Sequence, residues 1–339
     1  RLLFVHLFKN AMIPVLTNTV VAIPFLITGA FGQLGTALTQ ALIYHYGSEA
    51  VIATDIRVDN QFDCVCEKLD ATNFEALDAL IRKYQVTEVY HLAAILSAKG
   101  EEEPLRTWDL NNSTFFNVLE AARLNGIKKI FFPSSIAVFG PDSRSGSTSN
   151  DFPLNPTTVY GISKVAGENW ASYYNQRYGM DVRCLRYPGL ISHEAMPGGG
   201  TTDYAVAIFH KAVNHENFEC YLNPETHLPM LYMEDAIAAT IRMMEAPKRA
   251  ISRVGYNIQG ISFSPEMIAE EIQKHYPDFE VSYNPDRRQQ IAESWPISLD
   301  DTAARMDWGW EPEYDLERMT EEMLYRLEQK KRANALMHA

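Results

Sequence analysis

Short apolar runs alternate with amphipathic segments through the first half of the chain. Ile23 to Ile27, Val51 to Thr54, Lys68–Leu69, Glu88 to Leu92, Ile130 to Phe132 and Val182 to Leu185 read as strands. Between them apolar positions recur at helical spacing, as at Leu34, Leu38, Ala41 and Leu42. Phe74 to Tyr84 is one such amphipathic helix, and Pro104 to Asn125 is a longer one closed by Gly126. Repeated strand–helix alternation predicts an α/β fold with a doubly wound parallel sheet. Past Leu190 the pieces shorten: a strand over Leu228 to Tyr232, helices from Glu234 to Glu245 and from Pro265 to His275, and a last helix to about Lys330. The expected organisation is an N-terminal extension (1–22), a nucleotide-type sheet domain (23–190), a small substrate lobe partly interleaved with it (191–330) and a C-terminal tail (331–339).

The first strand runs into Thr28-Gly29-Ala30-Phe31-Gly32-Gln33-Leu34-Gly35, a helix follows, and the second strand ends in Asp55, twenty residues past Gly35. This is the Rossmann pattern: a pyrophosphate rests on free N–H groups at the helix N-terminus, and the glycines allow the backbone to come close. Asp55 can accept the hydroxyls of the adenine ribose and would repel a 2′-phosphate, which favours NAD over NADP. Gly29, Phe31, Gly32, Gln33 and Leu34 are the expected cofactor contacts at the turn. Asp70 and Ala71 after the third strand and Leu92, Ala93 and Ala94 after the fourth extend them, as do Pro188 and Leu190 after the sixth. All fall at strand ends, where ligands of such sheets bind.

The same crevice receives Ser134 and Ser135 from the fifth strand and Tyr160-Gly161-Ile162-Ser163-Lys164 from the next helix. Tyr160 and Lys164 lie one helical turn apart. An ammonium beside a phenol lowers the phenol's pKa, so Tyr160 is expected to be a base that takes a proton from an alcohol, with Lys164 tuning it and Ser135 binding the oxygen. Pro197 to Asp203 is a Gly-rich loop, expected to be a lid or a substrate contact.

Composition narrows the partners. A net charge of -13 argues against nucleic acid and anionic membranes. Pro14 interrupts the apolar run at the start of the chain, so it is not expected to span a membrane. That run holds no acidic residue before Glu49, which fits a transit segment and a mitochondrial location, with a cytoplasmic one as the alternative. Cys64, Cys66, Cys184 and Cys220 show no zinc or disulfide spacing and are expected to be reduced and mostly buried. The scattered histidines, including His210 and His215, suggest no metal site.

Thr28-Gly29-x-x-Gly32-x-x-Gly35, Asp55, His91-Leu92-Ala93-Ala94, Asn111, Ser134-Ser135 and Tyr160-x-x-x-Lys164 together resemble the extended short-chain dehydrogenase/reductase family. The segments Tyr187 to Ser192, Gly198 to Tyr204, Leu228 to Met233 and Ser294 to Trp310 are similar to its branch that oxidises threonine, itself similar to the nucleotide-sugar epimerases. The resemblance implies NAD-dependent oxidation of L-threonine at its 3-hydroxyl to 2-amino-3-oxobutanoate. It implies Asn111 as a catalytic-set residue, although Thr114-Phe115 replaces the usual Gly-Thr after it. It places Ser97, Ser134, Thr202 and Trp295 with Ser135 and Tyr160 around the substrate. It also implies a homodimer through the Pro104 and Tyr160 helices, which carry Phe115, Phe116 and Trp170. The rival readings are a nucleotide-sugar epimerase or dehydratase, and a non-enzymatic NAD-binding scaffold.

Overall fold

The computed structural model describes residues 23–59, 61–144, 146–194 and 200–337. The expected N-terminal extension lies outside them, as do Pro197, Gly198 and Gly199 of the expected lid. In chain order the nucleotide half is β1 (Phe25–Thr28), α1 (Gln33–Tyr46), β2 (Val51–Asp55), β3 (Val65–Lys68), α2 (Phe74–Tyr84), β4 (Glu88–His91), α3 (Ser97–Gly100), α4 (Pro104–Leu124), β5 (Lys129–Ser135), β6 (Ser147–Thr148), α5 (Val159–Tyr178) and β7 (Asp181–Tyr187). There follow β8 (Gly189–Ile191), α6 (Tyr204–Val213), β9 (Phe218–Cys220), β10 (Leu228–Tyr232), α7 (Met233–Glu245), β11 (Gly255–Asn257), β12 (Ile261–Phe263) and α8 (Pro265–Gln273). The chain then runs through β13 (Val281–Tyr283), α9 (Arg287–Glu293), β14 (Ser298–Leu299), α10 (Thr302–Trp308) and α11 (Leu316–Met337).

The large sheet has seven parallel strands in the order β11-β7-β5-β4-β1-β2-β3. Its strands are apolar on both faces because helices cover both. On one side α1 and α7 pack with Trp308 and Trp310; on the other, Leu77, Phe115, Leu119 and Ala171 from α2, α4 and α5 form a second core. From β1 the strand order runs out in both directions, so the switch point lies between β1 and β4, at the Gly29 turn.

The structure adjusts several sequence-based boundaries. Ile23 is exposed, and Pro24, which has no N–H to give a ladder, leads into β1 while its carbonyl accepts from Thr87 N at 3.0 Å. The third strand ends at Lys68, before Leu69, in register with Asp55. The lobe is more deeply interleaved than a boundary at 190 implies, since α7 and β11 return to the large sheet. What remains is a three-stranded sheet, β12-β10-β8, and two two-stranded ones, β13-β9 and β14-β6, with a third core that includes Tyr204, Phe209 and Phe263. The last helix continues to Met337, through most of the expected tail. Cys184 and Cys220 are buried as expected, whereas Cys64 and Cys66 on the edge of the sheet are only half-buried. Among the described residues no helix is long and apolar enough to cross a membrane.

Candidate active site

The cofactor side of the cleft is a matter of backbone. Gly29 turns the chain out of β1 with φ +72°, and a Cβ there would lie 2.8 Å from Ala93 N. A Cβ on Gly35 would lie 2.1 Å from the Gly29 carbonyl oxygen. Only glycine lets these segments touch. Gly32 then starts α1 with no side-chain cap and no acidic residue in the first turn, so the helix presents free N–H groups to an anion. The Gln33 Nε2 beside it is buried without a partner. Asp55 sits at the rim, where its Oδ2 accepts from Phe31 N at 3.2 Å and its Oδ1 from Arg57 N at 3.4 Å. Leu34, Leu92, Ala94, Pro188 and Leu190 line the same cleft. Asp70 and Ala71 stand apart from that lining: Asp70 accepts from Thr72 N at 2.9 Å, and the Ala71 carbonyl accepts from Asn117 Nδ2 at 3.0 Å. A turn that tolerates no Cβ at Gly29 or Gly35, an uncapped helix start and an acid at the end of β2 fit a dinucleotide such as NAD.

The chemical groups stand where β5 meets α5. Thr158 caps α5, accepting from Gly161 N at 3.1 Å, and so fixes Tyr160 in the first turn. Ser135 ends β5; its Oγ accepts from Ala137 N at 3.2 Å, and it lines the cleft beside Tyr160. Lys164 is buried, donating to the Pro133 carbonyl at 2.7 Å, with its ammonium 4.6 Å from the Phe132 ring centroid and 5.3 Å from that of Tyr160. The expected downward shift of Tyr160 is not what the protein alone produces. Burial pushes the phenol up to about 12, against a smaller opposing pull from the Ser135 hydroxyl. Lys164 is brought down to about 8 by burial, which the nearby Cys184 and Glu168 resist. The ammonium spends a hydrogen bond on Pro133, so the phenolate needs further positive charge in the cleft.

Two other expected residues do different work. Ser134 lines the cleft beside Ser135, but its hydroxyl is committed to Glu168 Oε1 at 2.6 Å. The Asn111 side chain clamps the backbone of Ile95, accepting from its N–H at 2.8 Å and donating to its carbonyl at 3.1 Å, and reaches Ser163 rather than Lys164. Thr114, in the position of the usual glycine, places its hydroxyl 3.3 Å from His91 Nε2, and Phe115 stacks on the His91 ring. His91 Nδ1 meets Thr28 Oγ1 at 2.8 Å.

The facing wall comes from the lobe and α3. Ser97, Thr202 and Trp295 line the cleft as expected. Trp295 Nε1 is buried without a partner. So is the hydroxyl of Thr201, a cleft residue within the Pro197 to Asp203 loop expected to be a lid or a substrate contact. Its only signal in the sequence is its place beside Thr202 after a glycine run. Gly189 sits tight beneath this wall, where a Cβ would meet Thr202 Cβ at 2.7 Å.

Comparison with known proteins agrees with this arrangement. Residues 25–258 match the NAD dependent epimerase/dehydratase family. The chain belongs to that family and is an enzyme of it that binds NAD. It is 46% identical over 310 residues to a protein of Staphylococcus haemolyticus described as an uncharacterized epimerase/dehydratase, covering 90% of this chain and 97% of that protein. Among solved structures, a GalE-like L-threonine dehydrogenase from Cupriavidus necator in its holo form is 49% identical with a TM-score of 0.88, covering 90% of this chain and 99% of the other. A monomeric L-threonine 3-dehydrogenase from a metagenome is 46% identical with a TM-score of 0.88 at the same coverage.

Proposed function

We propose that this protein oxidises the 3-hydroxyl of L-threonine to 2-amino-3-oxobutanoate, with NAD as the acceptor. The observation that carries the reading is one cleft with Ser135, Tyr160 and Lys164 on one side and Thr201, Thr202 and Trp295 on the other, in a chain 49% identical to a threonine dehydrogenase. When bound, oxidised NAD supplies the hydride acceptor and a positive charge at its nicotinamide. The Gly29 to Leu34 turn and Asp55 hold the dinucleotide, and Lys164 borders it. Ser135 holds the substrate hydroxyl oxygen against the Tyr160 phenol. Tyr160 takes the hydroxyl proton at its phenolic oxygen, and Lys164 keeps positive charge beside that oxygen. Asn111 fixes the Ile95 loop that leads into Ser97. The buried donors of Thr201 and Trp295 suit the polar groups of an amino acid, since neither finds a partner among the described residues.

The test follows the hydrogen on C3. With L-threonine deuterated at C3, deuterium should appear at C4 of the reduced nicotinamide. Loss of that deuterium to solvent would contradict direct transfer. A nucleotide-sugar epimerase would instead release no net reduced cofactor.

The oligomeric state is part of the same proposal. Leu105 and Trp108 on α4 and Ile162, Trp170 and Tyr173 on α5 are large and exposed on one helix pair, which supports a homodimer through it. Phe116 packs on Trp170 at this face, whereas Phe115 turns into the core. Sedimentation of a dimer that Trp170→Glu converts to a monomer is expected; a monomer at every concentration would contradict it. A mitochondrial location rests on the acid-free segment 1–22, and a reporter fused to that segment but held in the cytoplasm would contradict it.

A further inference from the structure

Behind the site lies a buried ion pair that the reaction as described does not use. Glu168 follows Lys164 by four residues on α5 and Tyr160 by eight, so all three share one helix face. Its carboxylate accepts three hydrogen bonds: from Ser134 Oγ at 2.6 Å, Arg186 Nε at 2.9 Å and Arg186 Nη2 at 2.8 Å. Both side chains of the pair are 7% exposed. Arg186 is further held by its Nη1, which donates to the Asn150 carbonyl at 2.8 Å and to Asn257 Oδ1 at 3.3 Å, and its guanidinium lies over Phe139. The carboxylate lies flush on β11, where a Cβ on Gly255 would meet Oε2 at 2.8 Å. A buried pair of this kind is a poor source of stability against an apolar replacement. Its placement is more informative. Ser134, which it grips, sits between Pro133, whose carbonyl holds Lys164, and Ser135, which lines the cleft beside Tyr160.

We propose that Glu168 is a positioning residue for the reaction: through Ser134 it sets the end of β5 that carries both the Lys164 acceptor and the Ser135 hydroxyl. The proposal rests on the threonine-oxidising reading for its turnover readout, but not for its binding readout. Glu168 is also the nearest anion to Lys164 on its own helix. The other titratable groups facing that ammonium are Tyr160 on α5, Cys184 on β7 and His91 on β4. Removing the Glu168 charge therefore favours loss of the Lys164 proton.

The experiment uses the full chain and three variants: Ser134→Ala, Glu168→Gln, and Glu168→Gln combined with Arg186→Met, which buries no unpaired charge. NAD affinity is measured by titration across pH, and kcat and KM with threonine. Glu168→Gln should lower kcat by about 10- to 100-fold, with KM and neutral-pH NAD affinity within about threefold. The alkaline fall in NAD binding should move to lower pH by about one pH unit. Ser134→Ala should lower kcat by about three- to tenfold with little change in Tm. The double variant should regain Tm but keep the low kcat and the shifted NAD-binding profile. Recovery of kcat in the double variant, or an unmoved NAD-binding profile in both Glu168 variants, would overturn the proposal and leave the pair a structural one. If wild type does not oxidise threonine, the functional reading fails, and the NAD-binding profile still decides the role of Glu168. If Glu168→Gln alone does not fold, the other two variants carry the test.

Discussion

On the cofactor side of the cleft, Gly29 and Gly35 let backbone segments meet so closely that a Cβ on either would clash. On the facing side, Thr201 and Trp295 bring polar atoms that find no partner among the described residues. The first wall recognises a ligand by letting backbone come close, and its specificity is general to dinucleotides. The second recognises by side-chain donors, and its specificity belongs to whatever small molecule completes them. Tyr160 stands where the two walls meet. Substitutions on the two sides should therefore separate cofactor binding from substrate binding.

Tyr160→Phe should have the largest effect. Losing the proton acceptor is expected to lower kcat by about 10²–10⁴-fold while NAD affinity stays within about threefold. Steady-state kinetics beside a binding titration measure both, and near-normal turnover would remove Tyr160 from its role. Next comes Gly35→Ala, which must push the Gly29 and Ala30 backbone aside. A cost of about 1–3 kcal/mol is expected, read as a lower Tm and a weaker NAD affinity. An unchanged NAD affinity would mean that the turn is not the cradle. Thr201→Val removes one buried hydroxyl that has no partner among the described residues. Its expected signature is the reverse of Gly35→Ala: Tm equal or higher, NAD affinity unchanged, and KM for threonine raised by about two- to tenfold. A rise in NAD dissociation instead would merge the two walls into one.

The smallest effect concerns pH. Burial, with the Lys164 charge nearby, holds His91 down to about 3, whereas an unfolded histidine titrates near 6.5. Between those values the unfolded chain binds more protons, so this contribution to stability is lost as pH falls from 6.5 towards 3. Glu234, raised by burial to about 8, works in the opposite direction, with stability lost as pH rises from 4.5 through 8. Comparing wild type with His91→Gln isolates the first group. The variant's denaturation midpoint should fall less steeply on acidification, and parallel curves would contradict the assignment.

The two walls also differed in how much of them could be read from sequence. The strands, the Gly29 turn and Asp55 follow from local periodicity and spacing, and the structure places the strand ends within three residues of expectation. The Ser135–Tyr160–Lys164 set was legible because each residue falls at a strand end or a helix start. Three things were not. The fate of the Ser134 hydroxyl depends on Glu168 and Arg186, brought together only by the β5–β7 register. Thr201 lies in the loop read as a lid or substrate contact, but its unmet hydrogen bond is something only packing reveals. The Tyr160 pKa goes the other way from the local argument, because burial outweighs a lysine one turn away whose proton is already engaged by Pro133. Local chemistry on a helix face predicts neighbours, but desolvation is set by the whole fold.

The central claim is that this cleft oxidises threonine and releases the reduced cofactor. The direct measurement is reduced-nicotinamide absorbance with purified protein, NAD and L-threonine, with L-serine and a UDP-hexose run in parallel. The account predicts steady growth of NADH with threonine and none with the UDP-hexose. No NADH from threonine, with the UDP-hexose interconverted instead, would contradict it and place the chain among the epimerases of its family.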